Sequence, residues 1–101
     1  MNIPATFTYN GIKYKITNIA DSVFSDCSLL TSITIPDSVT SIGYNAFSYC
    51  TNSALTIAIP NSVTSIGENA FNYVEEITYN QTKMTATGSP WGAKKVNGVV
   101  Q

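Results

Sequence analysis

Histidine is missing from these 101 residues, and charge of either sign is scarce at 11% of the chain. Without an imidazole, neither a Ser-His-Asp nor a Cys-His arrangement can be assembled, and zinc sites built with histidine are excluded. The five basic residues are lysines at 13, 15, 83, 94 and 95, and none falls between 16 and 82. That span holds all six acids: Asp21, Asp26, Asp37, Glu68, Glu75 and Glu76. A nucleic-acid binder needs clustered cations to displace counterions, so no nucleic-acid partner is expected. No run of about eighteen apolar residues occurs, which removes a membrane-spanning helix, and no membrane insertion is expected. The opening MNIPATFTYNG lacks the basic and apolar regions of a secretion signal. It fits an intracellular chain, or a mature or excised piece of an exported one. Calcium-type Asp-x-Asp-x-Asp runs and phosphate-binding glycine loops are also missing. No catalytic residue, metal or cofactor is expected, and the chain reads as a non-enzyme.

What is present is repetition. Hydrophobic residues make up 44%, and Ser, Thr and Asn crowd the gaps between them. Thr favours strands, and Asn and Ser favour turns. IPDSVTSIGYNAFSYC (35–50) returns as IPNSVTSIGENAFNYV (59–74). Ile16, Ile19, Phe24 and Cys27 recur 23 residues later as Val39, Ile42, Phe47 and Cys50. They recur 24 residues after that as Val63, Ile66, Phe71 and Val74. A unit of this size cannot bury its own apolar face, so stacked units sharing one core, a solenoid, are expected. Leu30-x-x-Ile33-x-Ile35 reads as a short strand, and equivalent strands should pair in parallel, about 4.8 Å apart. Pro36-Asp37-Ser38 and Pro60-Asn61-Ser62 turn the chain. Asn45-Ala46-Phe47 reads as a tight helical turn planting Phe47 inside. Gly43 and Gly67 align with Ala20, which speaks for close packing of turns rather than positive φ. The second unit carries one extra residue, in CTNSALTIAIP.

The whole chain, 1–101, reads as one domain. Residues 1–15 hold Asn10-Gly11 between alternating runs, a hairpin signal, and should form a flap over the first coil. Residues 16–80 are the repeats. Residues 81–101 form an irregular cap in which Trp91 lids the open end of the core. Ile3-Pro4 resembles Ile35-Pro36, as the trace of an earlier coil.

With IPxSVTSIGxNAFxxC after an LxxIxIP strand, residues 14–80 resemble the BspA-like leucine-rich repeat family. Ala20 in place of Gly, the extra residue near Asn52, and Val74 in place of Cys depart from the pattern. The resemblance implies a β-rich leucine-rich-repeat solenoid of about three stacked coils. It would have a parallel sheet on one side, short helical turns, a hairpin cap and an irregular C-terminal cap. It also implies a bacterial protein, extracellular or on the cell surface, with a protein ligand such as a host matrix protein or another cell-surface protein.

Two cysteines, Cys27 and Cys50, occupy equivalent positions. A disulfide or reactive pair is one reading; small core hydrophobes, with Val74 filling the same slot, is the favoured one. Glu75-Glu76 would point to opposite faces of a strand, which does not suit paired acid–base chemistry. Tyr49 and Tyr73 should lie side by side at the position of Asp26, near Tyr44 and Glu68. These five residues are the candidate binding surface, since exposed Tyr offers large area with few rotors. The plainer reading is that the rings only cover the edge of the core. Thr34, Thr56 and Thr78 are expected as a solubilising column on the exposed strand face. A protein-recognition or adhesion module is the leading function; a structural spacer and a carbohydrate-binding module are the alternatives. The pattern does not set an oligomeric state.

Overall fold

The computed structural model describes residues 3–101 and, within them, all side chains but those of Phe7, Thr8, Tyr9 and Tyr14. The apolar alternation of the hairpin runs through Phe7, Tyr9 and Tyr14, which lie outside the described side chains. Strands β1 (Thr6–Tyr9) and β2 (Ile12–Lys15) pair antiparallel with Tyr9 opposite Ile12. The intervening Asn10 and Gly11 have φ of 51° and 76°, as a two-residue type I′ turn demands. After them come β3 (Asn18–Ile19), β4 (Ile33–Thr34), β5 (Ser41–Ile42), β6 (Thr56–Ala58), β7 (Ser65–Ile66) and β8 (Glu76–Thr78). A closing pair follows, β9 (Lys95–Val96) and β10 (Val99–Val100).

Two parallel ladders run along the stack. One is β3-β5-β7; the other is β4-β6-β8, which β9 extends in parallel and β10 ends antiparallel. The ladder β3-β5-β7 lies where sequence reasoning placed only irregular or helical turns. Register follows the apolar repeat: Ile33 lies opposite Ile57 and Ile57 opposite Ile77, all buried. The Thr column is different. Thr34 faces Ala58 and Ala58 faces Thr78, while Thr56 faces Glu76. The extra residue between Cys50 and Ile57 shifts Thr56 into a neighbouring column.

Helices are lacking among the described residues, and the segments read as helical turns are turns of another kind. In the second coil, the N–H groups of Ala46, Ser48 and Cys50 donate to Gly43 O, Asn45 O and Phe47 O, three residues back. Those of Asn45, Phe47 and Tyr49 leave the coil for Glu68 O, Ala70 O and Asn72 O of the next one. A helix would send every N–H four residues back along its own chain. Here every second donor points along the stack, because φ is positive at Asn45 (57°) and Tyr49 (63°).

Coil spacing is set at the glycines. A Cβ on Gly43 would sit 2.6 Å from Asp21 N, and one on Gly67 would sit 2.7 Å from the Cα of Tyr44. Neither glycine has positive φ, so close approach is the reason for both. Ala20 starts its column with no turn beneath it and keeps its methyl. The aromatic rungs stack accordingly: Phe24 on Phe47 at 5.2 Å and Phe47 on Phe71 at 5.6 Å, each pair within 8° of parallel. Trp91 closes the row edge-on at 6.2 Å from Phe71, its Nε1 donating to Thr87 O at 2.9 Å. Phe47 and Phe71 are fully buried, and Trp91 is 5% exposed.

The ends behave differently. Ile3 N–H donates to Thr34 O at 3.0 Å as Ile59 N–H does to Thr78 O at 2.8 Å. Ile3-Pro4 therefore stands in the first coil where Ile35-Pro36 and Ile59-Pro60 stand in later ones. The hairpin enters at the following corner, its neck closed by Ile16 N–H on Ala5 O at 2.7 Å. It does not lie over the first coil as a complete flap. A notch of about 420 Å³ lined by Phe24, Cys27, Leu29 and Leu30 stays open, and Leu29 is 91% exposed. The C-terminal cap is more regular than expected, with β9 and β10 joined through Asn97 and Gly98 at φ of 50° and 82°.

Two stability outcomes follow from this packing. Gly67→Ala should cost about 1–3 kcal/mol in urea denaturation, through forced separation of coils, whereas Ala20→Gly should cost under about 1 kcal/mol. Phe47→Ala should cost about 3–5 kcal/mol, and Phe24→Ala measurably less because its ring is only partly buried. Equal losses at 24 and 47 would contradict the partial exposure of the Phe24 ring, and no loss at 24 would contradict the shared interior.

Candidate functional site

The turn segments carry the candidate residues, and their backbone decides how those residues line up. Because alternate N–H groups bond to the next coil, each turn residue is held directly beside its equivalent. Asp26, Tyr49 and Tyr73 form one column, linked by Asp26 N–H to Ser48 O at 2.8 Å and Tyr49 N–H to Asn72 O at 2.8 Å. The rings of Tyr49 and Tyr73 lie 4.9 Å apart with a 32° tilt, each residue 48% exposed. Asp26 is exposed at the end of that column.

Tyr44 and Glu68 belong to a second column at the other end of the turn. Ser22 N–H donates to Tyr44 O at 3.0 Å and Asn45 N–H to Glu68 O at 3.2 Å. Asp21 begins this column, and its Oδ1 accepts the Tyr44 N–H at 2.9 Å. Sequence reasoning passed over Asp21, although its 23-residue offset from Tyr44 marks the shared position. Both Tyr44 and Glu68 are exposed. The five candidates thus fall into two parallel stripes on the turn face, one aromatic with an acidic end and one mainly acidic.

Backbone conformation separates the aromatic stripe from ordinary surface. The first left-handed position of each turn is filled by Ser22, Asn45 and Asn69, with φ of 57–58°. Asn is among the residues that tolerate this region best. The second is filled by Asp26, Tyr49 and Tyr73, with φ of 63–65°. A bulky side chain in that region costs about 1–2 kcal/mol relative to a residue suited to it. The fold requires the conformation; it does not require tyrosine.

The cysteines offer no chemistry of note. Both are free thiols, Cys50 fully buried and Cys27 partly so. Cys50 Sγ donates to Phe24 O at 3.0 Å. Burial pushes its pKa from 9.0 up to about 11; a backbone hydrogen bond from Cys27 offsets part of the rise, and the Cys27 side chain and Asp26 add smaller upward effects. Val74, in the same slot, is also fully buried. Glu75 pairs loosely with Lys94 (3.9 Å) and Lys95 (3.6 Å), surface contacts of little energetic weight. No group of three or more His, Cys, Asp or Glu poised to hold a metal occurs among the described residues.

Alkylation should therefore modify one cysteine per native chain at pH 8 and both only after denaturation, read by mass spectrometry. A thiol whose pKa is raised on folding stabilises the fold below its unfolded value and loses that contribution as pH rises through the folded one. Stability should fall between about pH 9 and pH 11, and Cys50→Val should flatten this fall.

Comparison with known proteins agrees with this architecture. The family model for the BspA type leucine rich repeat region (6 copies) matches residues 5–89. A leucine-rich repeat protein from Bacteroides capillosus ATCC 29799 is similar in structure, with TM-score 0.65 and 28% identity over 98% of this chain and 73% of its own. A leucine rich cell surface protein from Faecalibacterium prausnitzii A2-165 gives TM-score 0.62 at 33% identity, covering 94% of this chain and 24% of its own. A leucine-rich repeat protein from Bacteroides ovatus ATCC 8483 gives 0.58 at 27%, covering 94% and 32%. The chain thus spans about a quarter to a third of the length of the latter two. No curated protein matches it. With its repeats, its parallel ladders and its rungs of phenylalanine, the chain belongs to the BspA-type leucine-rich repeat family.

Proposed function

We propose that the chain is a noncatalytic recognition and adhesion module of a bacterial surface or secreted protein, binding a protein ligand through its turn face. The observation that carries this reading is the pair Tyr49 and Tyr73, half-exposed and stacked at 4.9 Å, on backbone that disfavours tyrosine. Strain kept at an exposed position points to use of the side chain. Two rigid, amphipathic rings side by side give contact area with little rotor entropy to lose. Asp26 ends the aromatic stripe, while Asp21 and Glu68 acidify the other, so a partner surface with basic side chains complements both. A surface location is supported by the likeness to the leucine rich cell surface protein.

Binding to a panel of immobilised extracellular matrix proteins tests the proposal. A positive partner should lose more than about tenfold in affinity with Tyr49→Ala or Tyr73→Ala. Tyr73→Asn separates binding from folding. Relief of the backbone offsets the lost ring contact, so stability should stay within about 1 kcal/mol of wild type while affinity falls. A partner indifferent to both tyrosines would place recognition elsewhere on the molecule.

A further inference from the structure

The C-terminal cap closes the solenoid on two sides and leaves the third open. On the strand side, β9 pairs with β8. On the turn side, Phe71 N–H and Tyr73 N–H are taken by Trp91 O and Gly92 O at 3.0 and 3.1 Å. The ladder β3-β5-β7 has no such closure: β7 is its edge. A groove of about 420 Å³ runs beside it, with Ile66, Glu68 and Asn69 on one wall and Thr87, Pro90 and Trp91 on the other. This volume is at the lower end of the range for ligand sites, about 300–1,000 Å³, and suits a short segment rather than a folded domain.

Main-chain groups unused at this edge are those that earlier coils use. Thr17 O and Ile19 O accept from Thr40 and Gly43 N–H at 2.7 and 2.8 Å. Thr40 O and Ile42 O accept from Thr64 and Gly67 N–H, both at 2.8 Å. Thr64 O and Ile66 O receive no such bond among the described residues. The donors tell the same story. Ser22 N–H and Asn45 N–H go to Tyr44 O and Glu68 O, and Asn69 N–H goes to no carbonyl among the described residues.

We propose that an extended polypeptide segment adds to the β7 edge in this groove, running parallel to β7, with an aliphatic residue followed by glycine. Its chemistry is specified by the segment that fills the same lane one coil earlier, Thr64-Ser65-Ile66-Gly67-Glu68. The first and fourth residues supply N–H groups to Thr64 O and Ile66 O, and the fifth supplies a carbonyl to Asn69 N–H. The third is aliphatic, as Ile42 and Ile66 are. The fourth is glycine because a Cβ in this lane would strike the turn beneath it, as it would at Gly43 and Gly67. Strand addition of this kind draws affinity from the main chain and selectivity from side chains at fixed positions. The groove shares Glu68 with the acidic stripe but is lined by neither Tyr49 nor Tyr73, and it does not depend on them.

The probe is a capped synthetic peptide, SVTSIGE, reproducing residues 62–68, titrated into isotope-labelled protein and followed by NMR and amide exchange. In the free protein, the Asn69 amide should exchange at least about tenfold faster than the bonded Asn45 amide. The peptide should shift Ile66, Asn69, Gly88 and the Trp91 indole, and slow Asn69 exchange. Replacing the peptide's glycine by alanine should weaken binding by about tenfold or more. Tyr49→Ala and Tyr73→Ala should leave the titration unchanged. Any of three results overturns the proposal: an Asn69 amide already as protected as Asn45, no shifts at millimolar peptide, or equal binding of the alanine peptide. Concentration-dependent dimerisation that shifts the same resonances without peptide would assign the edge to a second copy and overturn it too.

Discussion

Everything in this molecule depends on main-chain hydrogen bonds that leave their own coil at every second turn residue. A closed turn satisfies its polar groups locally and can face any neighbour or none. A turn that exports alternate N–H groups requires a neighbour directly above, in register, at hydrogen-bond distance. The bonds from Asn45, Phe47 and Tyr49 to Glu68, Ala70 and Asn72 are therefore what convert a repeated sequence into a stack. Bare glycine at 43 and 67 is the steric condition for that approach, and the phenylalanine rungs at 5.2–5.6 Å are its apolar consequence. Neither the polar nor the apolar half is sufficient alone, since a unit this small buries its apolar face only against another.

The same constraint makes the surface periodic. Any residue placed in the turn is presented again one coil later, about one strand spacing away. Side-chain identity can then vary freely where the turn backbone allows it, and the chain uses this latitude at Tyr49 and Tyr73. Left-handed backbone at these positions comes from the ladder, so the fold tolerates tyrosine there only because so many cooperative bonds hold the turn in shape. The surface is therefore patterned by columns rather than by single residues. The acidic column Asp21–Glu68 and the aromatic column Asp26–Tyr73 illustrate it.

How much of this was legible in the sequence varies by element. Offsets of 23 and 24 residues announced the rungs, the shared core and the parallel register, because apolar burial is a one-dimensional signal. Asn10-Gly11 announced its hairpin; Asn97-Gly98 carries the same signal and was overlooked between very short strands. Gly43 and Gly67 could be assigned to close packing because Ala20 occupies the same position. The turn's hydrogen bonding was not legible. Val39, Ile42, Ala46 and Phe47 are spaced as a helix face would be, and only φ at Asn45 and Tyr49 distinguishes the two. The site suffered from the same blindness: side-by-side tyrosines follow from the repeat, but left-handed backbone under a tyrosine is not something residue type reveals. The misplaced Thr56 shows the limit of counting, where one inserted residue moves a side chain to another column while burial stays in register.

Closing a stack of this kind is harder than extending it, and the C-terminal segment shows why. An added coil must satisfy three ladders at once: strand, edge and turn. Trp91 and Gly92 meet the turn, and Lys95–Val96 meets the strand, with about twenty residues to span both. Covering the β3-β5-β7 edge as well would need the chain to repeat the aliphatic-glycine approach of the coils. At the matching stretch Trp91 N–H donates to Gly88 O as Ala70 N–H does to Gly67 O, so Gly88 holds the glycine position. Threonine precedes it, however, and the φ of Gly88 is 102°, where Gly43 and Gly67 have no positive φ. Trp91 instead turns its ring onto Phe71 and its indole N–H onto Thr87 O, which seals the hydrophobic interior without pairing the edge. Apolar closure and polar closure are thus separable tasks, and this cap completes the first while leaving part of the second to solvent or to a partner.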